Sequence, residues 1–163
     1  MQITATQINE WAKTTEARSS LPRLVRRLIH AAGIPTYAAF PAGDSTSLPG
    51  WDGELVSPKS TPWVPKGKSF WEFSCRARAT IKANDDYDKR TSNTSASIRR
   101  RTTIIVVSGR RWSQKSKWVQ GKRNAHEWKD IRAYDTDDIE QWLEQSPAIL
   151  LAFAEELGLS GQG

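Results

Sequence analysis

Thr102-Thr103-Ile104-Ile105-Val106-Val107, within the segment 101–108, is the stretch that decides the fold. All of these side chains branch at Cβ, which stiffens χ1 and favours extended backbone. The run has no in–out alternation, so it reads as a strand buried on both faces, typical of the middle of a mixed or parallel sheet. A strand of that kind needs strand neighbours on both sides and helices above and below it.

Upstream, residues 69–76 alternate with a period of two. The pattern puts Phe70, Glu72, Ser74 and Arg76 on one face and Trp71, Phe73 and Cys75 on the other. Residues 52–56 read as a short strand with Asp52, Glu54 and Val56 sharing a face, and residues 36–40 as a further strand. The Gly/Pro/Ser-rich stretches 41–49 and 57–68 are connections. Downstream, 113–126 is lysine-rich and helix-compatible, and 128–134 is another strand.

Helices are expected elsewhere. Residues 4–13 carry Ile8, Trp11 and Ala12 at helical spacing. A second helix is expected with Ser20 as its N-cap, Pro22 in its first turn and an apolar stripe of Leu21, Leu24, Val25, Leu28 and Ile29. Residues 82–90 are helix-compatible but weakly apolar, and 91–97 read as a mobile polar loop. Asp135 or Thr136 caps a helix reaching Gln145. Ser146 and Pro147 then open a last helix with Leu150, Leu151, Phe153, Ala154 and Leu157 facing the core, closed by Gly158. The expected order is α-α-β-β-β-α-β-α-β-α-α, which implies an α/β fold with a central mixed sheet flanked by helices. Residues 1–159 read as one domain and 160–163 as a flexible tail or the truncation point of a longer protein.

Among 163 residues, Lys+Arg outnumber Asp+Glu by 24 to 18, and the isoelectric point is about 9.7. That balance favours a polyanionic partner, most simply nucleic acid. One cysteine excludes an intrachain disulfide and a cysteine zinc cluster, and two histidines far apart in sequence make no zinc motif. No apolar stretch approaches 18 residues and no signal-peptide pattern opens the chain, so a cytoplasmic location and no membrane are expected.

Acidic residues on two neighbouring strands, Asp52 and Glu72, followed by a helix carrying Lys82, could form a hard-oxygen site suited to Mg2+ beside a phosphate. A lysine there can orient or deprotonate a water and offset developing charge. The bland alternative is that both carboxylates are solvated or salt-bridged.

A resemblance adds to this reading. Gly50-Trp51-Asp52-Gly53, Thr61-Pro62-Trp63-Val64-Pro65, Trp71-Glu72-Phe73-Ser74, Lys82-Ala83-Asn84-Asp85-Asp86-Tyr87 and Lys89-Arg90-Thr91 carry it. So do Arg110-Arg111-Trp112, Trp128-Lys129-Asp130-Ile131-Arg132 and the segment 134–144. Together they resemble the N-terminal nuclease-like domain of certain large bacterial proteins, a divergent branch of the PD-(D/E)xK restriction-endonuclease-like superfamily. Members are often fused to NTPase modules, and some serve in defence against phage.

The resemblance implies Mg2+-dependent DNA phosphodiester cleavage, with Mn2+ able to substitute. It makes Asp52 and Glu72 the metal ligands. The motif lysine is expected two residues after Glu72, where this chain has Ser74, so Lys82 is the substitute. The chain also departs from related sequences at Arg76-Ala77-Arg78-Ala79, where an acidic residue is frequent. Glu16, Ser74, Asp86 and Lys89 are auxiliary candidates. For Glu16 the alternative is a helix-terminal charge, and for Asp86 and Lys89 it is intrahelical ion pairing.

The basic run Arg110, Arg111, Trp112, Lys115 and Lys117 is the expected DNA-contacting surface, with Trp112 either stacking on a base or packed as core. Cys75 and His30 read as structural. Further domains C-terminal to Gly163 and assembly into a homo-oligomer are compatible with the chain. The alternatives to a nuclease are a catalytically inert DNA-binding or sensing module on the same fold, and a protein-interaction domain whose basic charge is incidental.

Overall fold

A computed structural model describes residues 1–33, 35–40 and 53–159. Five strands form one sheet in the spatial order β1 (Tyr37–Ala39), β2 (Gly53–Ser57), β3 (Gly67–Ser74), β4 (Thr102–Ser108) and β5 (Asp130–Tyr134). The β1–β2 and β2–β3 pairs are antiparallel, whereas β4 runs parallel to both β3 and β5. The β-branched run is therefore the inner strand of the parallel half, and every residue of β4 is buried. Helical crossovers join the parallel strands, as the geometry of that ladder type requires.

The helices are α1 (Ala5–Trp11), α2 (Ala17–Ala32), α3 (Ala79–Ser92), α4 (Ala96–Arg99), α5 (Lys115–Asn124), α6 (Thr136–Glu144) and α7 (Pro147–Glu156). They clad the sheet in two layers. Leu55, Trp71, Phe73, Ile105, Val107 and Tyr134 pack with side chains of α1, α2, α6 and α7. Phe70, Ile104, Val106, Ile131 and Ala133 pack on the other face with Ala79, Ala83 and Tyr87 of α3 and Trp118 of α5. The period of two along β3 assigns its side chains to these layers, and Glu72 falls on the α3 side with Phe70.

Several expected boundaries shift. The second helix opens at Ala17, with Glu16 in the N-cap position making no side-chain cap, so Ser20 lies inside the helix. Pro22 is its sixth residue, and the bond its missing N–H would give the Arg18 carbonyl is absent. Burial of Ala17 and Leu21 extends the helix in spite of that loss. Residues 91–97 are held in place: α3 continues to Ser92, α4 follows, Trp128 Nε1 donates to Thr91 Oγ1, and Arg99 donates to the Thr94 carbonyl. β3 ends at Ser74, where the Arg76 N–H donates to Ser74 Oγ and turns the chain out of the ladder. Leu151 is 57% exposed and does not face the core. Ser146 stands in the N-cap position of α7 but makes no side-chain cap bond, with Pro147 first in the helix as expected. Asp135 caps α6 with a capping box to Asp138, and Gly158, at φ 75°, ends the last helix in the left-handed conformation that glycine tolerates.

Candidate functional site

Lys82, Asp86 and Arg90 follow one another at intervals of four along α3, so they form one stripe. Asp86 and Arg90 are buried and Lys82 is half-buried. Glu72 rises from β3 beneath the end of that stripe. Arg90 Nε donates to Glu72 Oε1 at 2.7 Å, and both side chains are 6% exposed. The Arg90 guanidinium also lies 4.6 Å from the centre of the Phe70 ring. Lys82 Nζ donates to Asp86 Oδ1 at 2.5 Å. The charges thus run Lys82(+), Asp86(−), Arg90(+), Glu72(−). Buried ions require such pairing, because each one alone would lose several kcal/mol of hydration.

Beside this stripe, at the carboxyl end of β3, lies a cleft of about 350 Å³. Its walls are Thr14, Thr15, Arg18 and Pro22 from the α1–α2 turn and the start of α2. Its floor is Phe73, Ser74, Cys75 and Arg76, and Lys82 closes it from α3. The lining contains three cationic residues and no acidic one. In sheets with parallel strands, ligands enter at the carboxyl ends of those strands, where loops diverge. Burial pushes the Cys75 thiol up to about 11, partly countered by the Arg110 and Arg18 guanidiniums. Both arginines therefore act on this end of the sheet. β4 finishes close by: a Cβ on Gly109 would stand 3.1 Å from Ala12 Cβ and 3.3 Å from Cys75 Sγ, so a larger residue would push the cleft floor.

The structure puts Ser74 and Lys82 on the lining of one cleft, with Glu72 and Asp86 outside that lining. Asp52 lies outside the described residues. Lys82 is bonded to Asp86, and Glu72 to Arg90. Lys89 is exposed on α3. Glu16 opens onto a different cavity of about 550 Å³, bordered by Glu10, Trp11 and Glu156, and is absent from the Lys82 cleft. Carboxylate oxygens are hard donors, so Glu72 and Asp86 are of the right kind for Mg2+ or Mn2+. Among the described residues, no three His, Cys, Asp or Glu side chains cluster as a metal site.

The basic run after β4 is tied down more than its composition indicates. Arg110 Nε and the Arg111 N–H both donate to Asn9 Oδ1, and Arg111 Nη2 donates to Thr6 Oγ1. Trp112 is 5% exposed, stacks at a tilt on Trp118 and donates Nε1 to Thr80 Oγ1. Its ring is core and presents no face for a base to stack on. Lys115 bonds Asp135 and Asp138 at the start of α6. Burial pulls its pKa down, but hydrogen bonds to the two carboxylates outweigh that and hold it above the usual lysine value. Lys117 is exposed.

Two residues of the site carry no role in the sequence reading. Arg90 is signalled by its place four residues after Asp86. Arg18 has no local signal, since only the tertiary fold brings the start of α2 to the end of β3. No protein-family model, no curated protein and no solved structure matches the chain.

Proposed function

We propose that the chain is a Mg2+-dependent DNA endonuclease domain of the PD-(D/E)xK restriction-endonuclease-like kind, acting as the effector part of a bacterial anti-phage defence protein. One observation carries the reading: the buried carboxylate of Glu72 sits on β3 under a charged stripe of the next helix, beside an acid-free cationic cleft. Glu72 and Asp52 would hold the metal, with Asp86 nearby on the helix. Bound there, Mg2+ or Mn2+ stabilises charge on a phosphoryl oxygen and lowers the pKa of a water.

The chain's own groups do the rest. Lys82, aimed by Asp86 and lining the cleft, orients the attacking water and, as an ammonium, offsets the developing negative charge. Arg90 keeps the Glu72 side chain fixed and charge-balanced until a cation competes for it. The arginines at the cleft attract the phosphodiester backbone.

A second reading has its own support. A guanidinium on Glu72 competes with any metal, and Ser74 supplies no charge at the motif position. Both favour an inert DNA-binding or sensing module on the same fold. Incubating the purified chain with supercoiled plasmid in Mg2+, and again in EDTA, separates the two. Nicking that needs Mg2+ and disappears in Glu72→Gln, which keeps an acceptor for Arg90 and whose fold is checked by its melting temperature, supports the nuclease. Salt-sensitive binding without nicking supports the inert module, and neither outcome leaves the chain as a protein-interaction domain.

A further inference from the structure

The cleft at the end of β3 is small and one-signed. A volume of about 350 Å³ corresponds to a cube about 7 Å on edge, whereas the major groove of duplex DNA alone is about 12 Å wide. A duplex therefore passes over the mouth of the cleft and does not enter it. A single phosphate with its sugar does fit. Arg18 lines it from the start of α2, Arg76 from the floor just after β3, and Lys82 from α3.

The floor is prepared for an anion as well. Ser74 Oγ accepts from the Arg76 N–H, which leaves its own O–H to donate. The Cys75 thiol stays neutral at physiological pH because burial raises it to about 11, so no thiolate competes with an incoming phosphate. Arg110 adds positive potential from the end of β4. Two guanidiniums and an ammonium suit a phosphomonoester, which carries about −1.5 to −2 charge at pH 7, better than a diester with a single charge.

We infer that this cleft is a binding site for the terminal phosphomonoester of one nucleotide unit, held between Arg18 and Arg76 with Ser74 Oγ and Lys82 beneath it. The phosphate belongs to a DNA strand end or to a free nucleotide. The assignment to nucleotides rests on the nucleic-acid reading of the preceding section, but the anion site itself does not require catalysis. It adds a substrate feature that cleavage does not need: recognition of a phosphorylated terminus.

The test is done in EDTA, so the presence or absence of cleavage has no bearing on it. Fluorescence anisotropy compares short single strands that carry a 5′-phosphate, a 3′-phosphate or hydroxyls at both ends. One phosphorylated strand should bind at least about tenfold more tightly than the hydroxyl strand, because hydrogen bonds to charged groups each carry about that factor. Arg18→Ala and Arg76→Ala should each erase the preference, so that within each variant the phosphorylated strand binds no more tightly than the hydroxyl strand, whatever general loss of affinity the missing charge brings to both. Arg76 lies on an exposed turn, so its variant tests the site even if Arg18→Ala perturbs α2. Arg18→Lys should retain part of the preference. Competition with free thymidine monophosphate distinguishes the sources: equal displacement marks a free-nucleotide site, and weak displacement a strand-end site. Equal binding of all three strands, or a preference that survives both arginine substitutions, overturns the inference.

Discussion

Arg90 Nε donates to Glu72 Oε1 at 2.7 Å, tying the last turn of α3 to the middle of β3 by a pair that water scarcely reaches. Removing one member of a buried pair strands the other. Arg90→Ala should therefore cost about 3–5 kcal/mol of stability. The double change Arg90→Met with Glu72→Leu should cost far less, since no charge is left without its partner. Urea unfolding of the three proteins checks this, and equal losses in the single and double variants would contradict it.

Lys82→Ala should reduce cleavage by about 10²–10³-fold, the range for removing a donor that stabilises transition-state charge. DNA affinity measured in EDTA should hold nearly steady. Arg76→Ala should be milder on the cleavage rate, because Arg76 lies on an exposed turn where solvent and salt screen its charge. A Lys82→Ala protein that cuts at the parental rate removes Lys82 from the reaction.

Cys75 reports the electrostatics of the cleft. Its folded pKa is raised by burial from 9.0 to about 11. The sign follows directly: the neutral thiol is the favoured folded form, so the associated stability is complete below pH 9 and is lost as pH rises through about 11. At pH 8 its alkylation by iodoacetamide should be roughly a hundredfold slower than that of the unfolded chain, since thiolate is the reacting species. Arg18→Ala should slow it further by removing a cation that favours the thiolate. An unchanged or faster rate would show that Arg18 does not act on the cleft floor.

The double variant Arg110→Ala, Arg111→Ala should lose roughly 1–2 kcal/mol of stability along with DNA affinity, because those side chains also fasten α1 through Asn9 and Thr6. Lys117→Ala should leave the melting temperature alone. If Lys117 contacts a phosphate, its removal should lower the slope of log K against log salt by about one. Binding that ignores both variants moves the DNA to another surface.

The order of strands and helices was legible because its signals are local. The unbroken β-branched run announces β4, the Phe70–Ser74 alternation announces β3, and Asp135 and Pro147 mark helix starts. Boundaries failed where burial outweighed local chemistry, as in α2, where Ala17 and Leu21 draw the helix past Ser20. Residues 91–97 look like loop by composition, yet Trp128 and Arg99 reach them from elsewhere in the chain. The site divides in the same way. Glu72, Ser74, Lys82 and Asp86 could be grouped from strand parity and helix spacing. Trp112 could not be told from a base-stacking tryptophan, since its burial depends on Trp118 and Thr80. Arg18 entered only through the fold.

The layer formed by α1, α2, α6 and α7 has a consequence for synthesis on the ribosome. The strands emerge in the order in which they lie in the sheet, so each can pair with its predecessor as it appears. Their cover cannot follow that schedule. The Ala5 N–H bonds Glu140 Oε1, and Trp11 packs edge-on against Phe153, so α1 waits for partners beyond residue 136. Between the end of α2 and the start of α6 stand about 100 residues, roughly 5–20 s of translation at 5–20 residues per second. Trp71 is made partway through that interval and Ile105 and Val107 in its last third, and none of them meets α6 or α7 until it ends. A nascent chain halted before α6 therefore displays one bare face of its sheet, the form most exposed to aggregation and to capture by chaperones.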